Sequence, residues 1–182
     1  MAINTMKPLN QINLVSFGIT DKALLEMLRS QTARIFSCKV QHKEARTELG
    51  QFFDGARRQY NADSLLQMVH QNYSNEDAKT IGLFQVDLFI PILTYIFGQA
   101  YLNGQTAVAS GYRLVDERYG IKTNRQNYPE RFLKEVIHEL GHNFGLIHCR
   151  SVGCVMQAST YVEDIDLKNA DFCPACRLQL EH

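Results

Sequence analysis

Alternation of apolar and polar side chains first appears at Ile12-Asn13-Leu14-Val15-Ser16-Phe17, a strand pattern closed by Gly18. Thr20 or Asp21 can cap a following helix, with Leu24, Leu25, Leu28 and Ala33 along it. Cys38-Lys39-Val40-Gln41-His42 alternates again and predicts a second strand, whereas Gln51 to Tyr60 fits neither period. Asn61 to Asp63 can cap a second helix whose apolar side is Leu65, Leu66 and Val69. Thr80 to Val86 predicts a third strand. Leu88-Phe89-Ile90 extends it or opens another, with Pro91 as punctuation. Tyr95 to Tyr101 is apolar and aromatic and is expected in the core. Thr106 to Ser110, between Gly104 and Gly111, predicts a further strand. Pro129 suits the first turn of a long helix. Phe132, Leu133, Val136, Leu140 and Phe144 recur along it at helical spacing. That face is expected to bury against the sheet and the opposite face to meet a cleft. Past Gly145 the regular pattern thins out. Strands alternating with helices predict a mixed twisted sheet and an α+β class.

The last part of the long helix carries the chemistry: His138-Glu139-Leu140-Gly141-His142-Asn143-Phe144-Gly145-Leu146-Ile147-His148-Cys149. His138 and His142 stand four residues apart, which stacks them one turn apart on one helix face. Two neutral imidazoles so placed can reach one zinc ion. Gly145 lets the chain turn sharply at the helix end, which brings His148 back as a third ligand. Three protein ligands leave a fourth tetrahedral position to water, the open arrangement of catalytic zinc. Glu139 lies beside the histidine face as a general base for that water, or alternatively as a salt-bridge or supporting group. Three of the chain's six histidines fall in this stretch, which argues against a surface helix with scattered histidines.

The cysteines form a second pattern. Cys149 and Cys154 flank a short loop, and Cys173 and Cys176 make a Cys-x-x-Cys. Two pairs separated by a loop suit a structural zinc, since four thiolates close a tetrahedral shell. A redox pair at Cys173 and Cys176 is the rival reading; such pairs usually open a helix in a βαβ setting. Cys38 stands alone and reads as a small buried hydrophobe rather than a nucleophile.

The extended histidine signature resembles the metzincin clan of zinc peptidases. That clan needs a methionine on a tight turn beneath the metal, and Met156 stands soon after His148. Cys149 immediately after the third histidine, Cys154-x-Met156 and the distal Cys-x-x-Cys narrow the resemblance to the archaemetzincins, an archaeal family with vertebrate relatives. The match runs from Glu135 to Cys176. The stretch from Met156 to Cys173 is one residue shorter than the family pattern, a difference inside the polar loop Gln157 to Asp171.

The resemblance implies a metzincin-like (zincin) fold in a single domain, residues 1–182. An upper part, 1–145, would hold the sheet and zinc helix. A lower part, 146–182, would hold the Met-turn and the four-cysteine site, which replaces a core too small to stand alone. It implies two zinc ions per chain: one on His138, His142 and His148, the other on Cys149, Cys154, Cys173 and Cys176. It implies peptide-bond hydrolysis in which Glu139 deprotonates a water whose pKa the metal brings to roughly 7. Metzincins bind peptide antiparallel along a sheet edge, and Thr106 to Ser110 is the expected edge because its small side chains leave the backbone accessible. The tyrosine that some metzincins place two residues after the methionine is Ala158 here, so no catalytic tyrosine is assigned. Hydrolysis of a non-peptide amide, and a latent or non-catalytic peptide-binding protein, are the alternatives.

Composition removes other classes. At 182 residues and 45% hydrophobic the chain can build a proper core. Its formal net charge of zero and sparse basic residues between the cysteine pairs argue against a nucleic-acid-binding zinc ribbon. Met1 to Asn10 has no signal-peptide run, and Ile81 to Phe97 is broken by Gln85, Asp87 and Pro91, so no membrane span is expected. The expectation is a cytoplasmic monomer with reduced thiols that serve as metal ligands.

Overall fold

The computed structural model describes residues 11–120 and 122–180. The leading segment 1–10, read above as free of a signal-peptide run, lies outside these residues. In chain order the strands are β1 (Gln11–Phe17), β2 (Lys39–Ala45), β3 (Phe53–Asp54), β4 (Gln59–Asn61), β5 (Lys79–Phe84), β6 (Leu88–Phe89), β7 (Gly98–Ala100) and β8 (Thr106–Ser110). The helices are α1 (Lys22–Phe36), α2 (Ala62–Tyr73), α3 (Asn127–Asn143), α4 (Val162–Leu167) and α5 (Pro174–Leu180). Asp21 caps α1 by accepting the Leu24 N–H at 3.0 Å, and Asn61 caps α2 by accepting the Ser64 N–H at 2.9 Å.

The main sheet has the order β2-β1-β5-β8-β7. Its first four strands are parallel; β7 runs antiparallel to β8 at the edge. Side chains alternate across it, as a period of two requires. Ile12, Leu14, Ile81, Leu83, Ala107 and Ala109 pack with α1 and α3 on one face. Val15, Phe17, Phe84 and Val108 pack with α2 on the other. The mixed α+β class is therefore observed, with the zinc-motif helix laid directly on the sheet.

One expectation is overturned. Thr106–Ser110 is not an edge: β8 sits between β5 and β7, and every residue in it is buried. Its side chains are small because helices cover it on both faces. The edge on this side of the sheet is β7, inside the segment expected to be core; Phe97 is buried, but Gly98–Ala100 are only half-buried. Smaller differences follow from pairing that sequence does not show. Gln51 to Tyr60 resolves into a turn and the β3–β4 hairpin; of the two readings of Leu88–Phe89 the structure has the separate strand, which joins that second sheet through β4. Phe144 lies just past α3 and stacks on Phe36 with ring centroids 5.1 Å apart.

The part after Gly145 holds two short helices, α4 and α5. Its apolar residues do not form a separate core. Leu146, Val155, Met156, Ile165 and Phe172 belong to the same buried cluster as the sheet and α3.

Candidate active site and metal centres

The helix places His138 and His142 where their spacing predicts, and the turn at Gly145 (φ 88°) returns the chain so that His148 joins them. A backbone bond from Leu146 N–H to Gly141 O at 3.0 Å fixes that return. The three ring centroids lie 4.7, 5.3 and 5.0 Å apart, and one ring nitrogen of each falls within 4.8 Å of the others.

The tautomers follow from the backbone. His138 Nδ1 is 2.8 Å from Val155 O, and His142 Nδ1 is 2.7 Å from Leu146 O. A carbonyl oxygen only accepts, so both Nδ1 atoms carry the proton and both Nε2 atoms present lone pairs. Those two Nε2 atoms stand 3.1 Å apart. Two lone pairs so close repel unless a cation lies between them. Zinc held at about 2.0–2.1 Å by nitrogen needs N···N edges of about 3.3 Å, so the donor set fits. Burial pushes the pKa of all three imidazoles down, that of His138 furthest, which keeps them neutral and able to ligate.

Glu139 lies beside the histidines and is 5% exposed. Burial holds its carboxyl pKa well above the usual value; the charge of Glu135 adds to this and that of Lys168 opposes it. Gly98 of β7 makes room for it. A Cβ there would stand 2.6 Å from Glu139 Cγ and 2.8 Å from Oε1. Met156 is fully buried under α3, where Gly141 presents no side chain to its sulfur. A buried ion pair, Lys168 Nζ to Glu135 Oε1 at 3.2 Å, ties α3 to the segment after α4.

The three histidines, Glu139, Glu135 and Gly98 line a cleft of ≈ 670 Å³. Its upper side includes Tyr95, Phe97 and β7; its lower side includes Ile147 and Ala158 to Tyr161. Tyr95 donates its hydroxyl to Thr160 O at 2.9 Å, joining the two sides. Arg113, held by Asp87, stacks over the Tyr95 ring at 4.1 Å.

The four cysteines converge as well, all Sγ atoms within 4.8 Å of one another. Cys149 and Cys173 are 3.8 Å apart, as are Cys154 and Cys176. A disulfide needs about 2.05 Å, whereas zinc with sulfurs at about 2.3 Å needs S···S edges of about 3.8 Å. Backbone N–H groups of Ser151 and Cys173 point at Cys149 Sγ and Cys154 Sγ, each at 3.4 Å. The Cys173 thiol is drawn down to about 6, chiefly by the backbone of Cys176, and that of Cys149 down by the backbone of Ser151. Burial pushes Cys154 and Cys176 up. Cys38 stands apart, its thiol pushed up to about 11 by burial, the wrong direction for a nucleophile.

The comparisons with known proteins agree with this geometry. Residues 9–182 match the model of peptidase family M54. The chain belongs to peptidase family M54, the archaemetzincins. An archaemetzincin of Haloquadratum walsbyi is 37% identical over 145 residues, 78% of this chain and 83% of that protein. One from Pyrococcus horikoshii is 40% identical over 130 residues, 71% of this chain and 69% of that protein. Among solved structures, archaemetzincin from Methanopyrus kandleri superimposes with a TM-score of 0.81 at 31% identity, covering 94% of this chain and 93% of that one. Archaemetzincin from Archaeoglobus fulgidus gives 0.79 at 30% identity, covering 93% and 99%. As an M54 member the protein is a zinc metallopeptidase, and its substrates are peptides or proteins. Among the described residues no helix is long and apolar enough to cross a membrane.

The sequence pattern of this M54 chain named the seven candidate ligands that the fold brings together in two groups, along with Glu139, Met156 and Gly145. It missed Gly98, Gly141, the Glu135–Lys168 pair and the Tyr95–Thr160 bond. Glu135 carried a signal, being one helical turn before Glu139 on the same face. Gly98 carried none until β7 was known to face the helix.

Proposed function

We propose that this chain hydrolyses peptide bonds, with Glu139 as general base beside a zinc held by His138, His142 and His148. When bound there, zinc supplies Lewis acidity toward the carbonyl and lowers the pKa of a coordinated water to roughly 7. The chain's own residues do the rest. His138 and His142 hold their Nε2 lone pairs in place through Nδ1–H bonds to Val155 and Leu146. The buried carboxylate of Glu139 accepts a proton from water at Oε1 and returns it to the departing amine nitrogen.

The substrate backbone lies along β7. Phe97 O, Gln99 and Tyr101 N–H face β8, so the N–H and C=O groups of Gly98 and Ala100 point to the free side. An extended peptide can add there as a further strand. Cys149, Cys154, Cys173 and Cys176 hold a second, structural zinc. The division at Gly145 into an upper and a lower part of one domain belongs to the same reading, since both sides line the cleft. A cytoplasmic setting fits the free thiols.

The observation that carries the reading is the pair of committed Nδ1–H groups that leaves two Nε2 lone pairs 3.1 Å apart beside a buried carboxylate. Glu139→Gln is expected to retain both zinc ions by elemental analysis and to lose peptide-library cleavage. Retained turnover would refute the base role. Peptide binding without cleavage by the parent would return the chain to the binding-protein reading.

A further inference from the structure

His148 differs from the other two histidines in what holds it. His138 and His142 ride on α3, each with Nδ1 tied to a carbonyl oxygen. His148 stands in a stretch without regular structure and is exposed. Among the described residues its ring has no hydrogen bond of its own to protein backbone or side chain. Its neighbour Ile147 is 68% exposed and offers no buried anchor. The ring's position is therefore set by the backbone on either side.

On the upstream side, the left-handed turn at Gly145 and the Leu146-to-Gly141 bond fold the chain back toward α3. On the downstream side the next residue is Cys149. Its N–H donates to Met156 O at 2.9 Å, and its Sγ is 3.8 Å from Cys173 Sγ. Consecutive Cα atoms are about 3.8 Å apart, so fixing Cys149 fixes His148 to within one peptide unit. Cys154, Cys173 and Cys176 complete that anchor. Cys173 immediately precedes α5 and Cys176 lies in its first turn, so the cluster ties this segment to the loop that carries His148.

We propose that closing the four-cysteine site positions His148, so that zinc bound by the cysteines raises the affinity of the histidine site for its own zinc. The proposal rests on the two-zinc reading above. With the cysteine site open, the loop that carries His148 keeps its backbone bonds, among them Cys149 to Met156, Cys154 to Ser151, Val155 to Asp171 and Asn169 to Gly153, but loses the shell that draws Cys149 toward Cys173. His148 is then held less tightly as the third ligand. Groups that orient a metal's ligands are worth about 10- to 100-fold in affinity. Linkage requires the reverse effect by the same factor: filling the histidine site tightens the cysteine site.

The test is metal affinity, not turnover. The parent, Cys176→Ser and Cys173→Ser are loaded with zinc, counted by elemental analysis, and titrated with a competing chelator. The parent is expected to hold two zinc ions and each variant one. The dissociation constant of the remaining ion should rise about 10- to 100-fold. In a His148→Ala background the same cysteine changes should leave the histidine-site affinity unmoved, because the ligand they position is gone. An unchanged affinity in the folded single variants, or an equal loss in the His148→Ala background, overturns the proposal. Should circular dichroism show both variants unfolded, the loaded parent is titrated with an organomercurial thiol reagent in the presence of chelator. Loss of the histidine-site zinc at least about tenfold faster once the thiols are capped supports the coupling; retention at the untreated rate overturns it. A parent that holds one zinc at full loading would instead defeat the two-site reading, and the proposal with it.

Discussion

Two glycines show how closely the site is fitted. At Gly98 an added methyl meets Glu139 and also Val108 O at 2.8 Å, so Gly98→Ala pushes the carboxylate or the edge strand aside. Displacing a reacting group by about 1 Å costs on the order of 100-fold in rate. Gly98→Ala is therefore expected to lose peptide cleavage by about that factor while zinc content stays at the parent value; assay and elemental analysis together check it. Gly141→Ala acts on the other side of the helix, against the Met156 sulfur. Overpacking there is expected to destabilise the fold by roughly 1–3 kcal/mol, read from denaturant unfolding. The histidines were legible in the sequence because a helix repeats locally and their spacing is set by it. Gly98 was not, because its partner Glu139 lies 41 residues away on a helix whose approach to β7 no local pattern announces.

At the scale of elements, α3 is anchored at its start by a buried charge cluster. Arg131 Nη1 donates to Asp116 Oδ1 at 2.8 Å and to Leu114 O at 2.9 Å, and its Nε and Nη2 reach Asp166 at 2.7 Å each. Asp116 also accepts the Asn124 N–H at 2.8 Å. That backbone bond, with Asn127 and Arg131, holds its carboxyl below the ordinary 3.8 despite burial. A carboxyl whose pKa is depressed on folding contributes stability above its unfolded value and loses it as pH falls through the folded value. The parent should thus lose stability on the acid side of about pH 3.8. Asp116→Asn should lower stability at neutral pH by roughly 3 kcal/mol, since it leaves a buried guanidinium short of a partner. It should also flatten the acid limb; thermal melts across pH 2–7 measure both. The helices and first strands were readable from caps and periodicity. The order of β7 and β8 was not. The small residues of Thr106–Ser110 suit an accessible edge and a strand covered by α2 and α3 equally well, and only tertiary packing decides between them.

On the scale of the whole molecule, the segment after Gly145 was read as too small for a core, and the structure shows how it manages. Its apolar side chains join the sheet's own cluster, and its cysteines draw together into one shell. Metal should therefore act on stability throughout the chain. A site with zinc a thousandfold above its dissociation constant contributes about 4 kcal/mol. For a chain of this size that is about 8–16 °C in melting midpoint. Exhaustive chelation is expected to lower the midpoint by at least that much and zinc to restore it; an unmoved midpoint would show that the metals are not structural.

The bond from the Tyr95 hydroxyl to Thr160 O has a consequence for entry. Roof and floor are stitched at that point, and Arg113 props the stitch from behind. Such a mouth is expected to admit a lone extended strand more readily than a helix or an intact hairpin, which cleavage of a linear peptide beside its cross-linked hairpin counterpart would reveal.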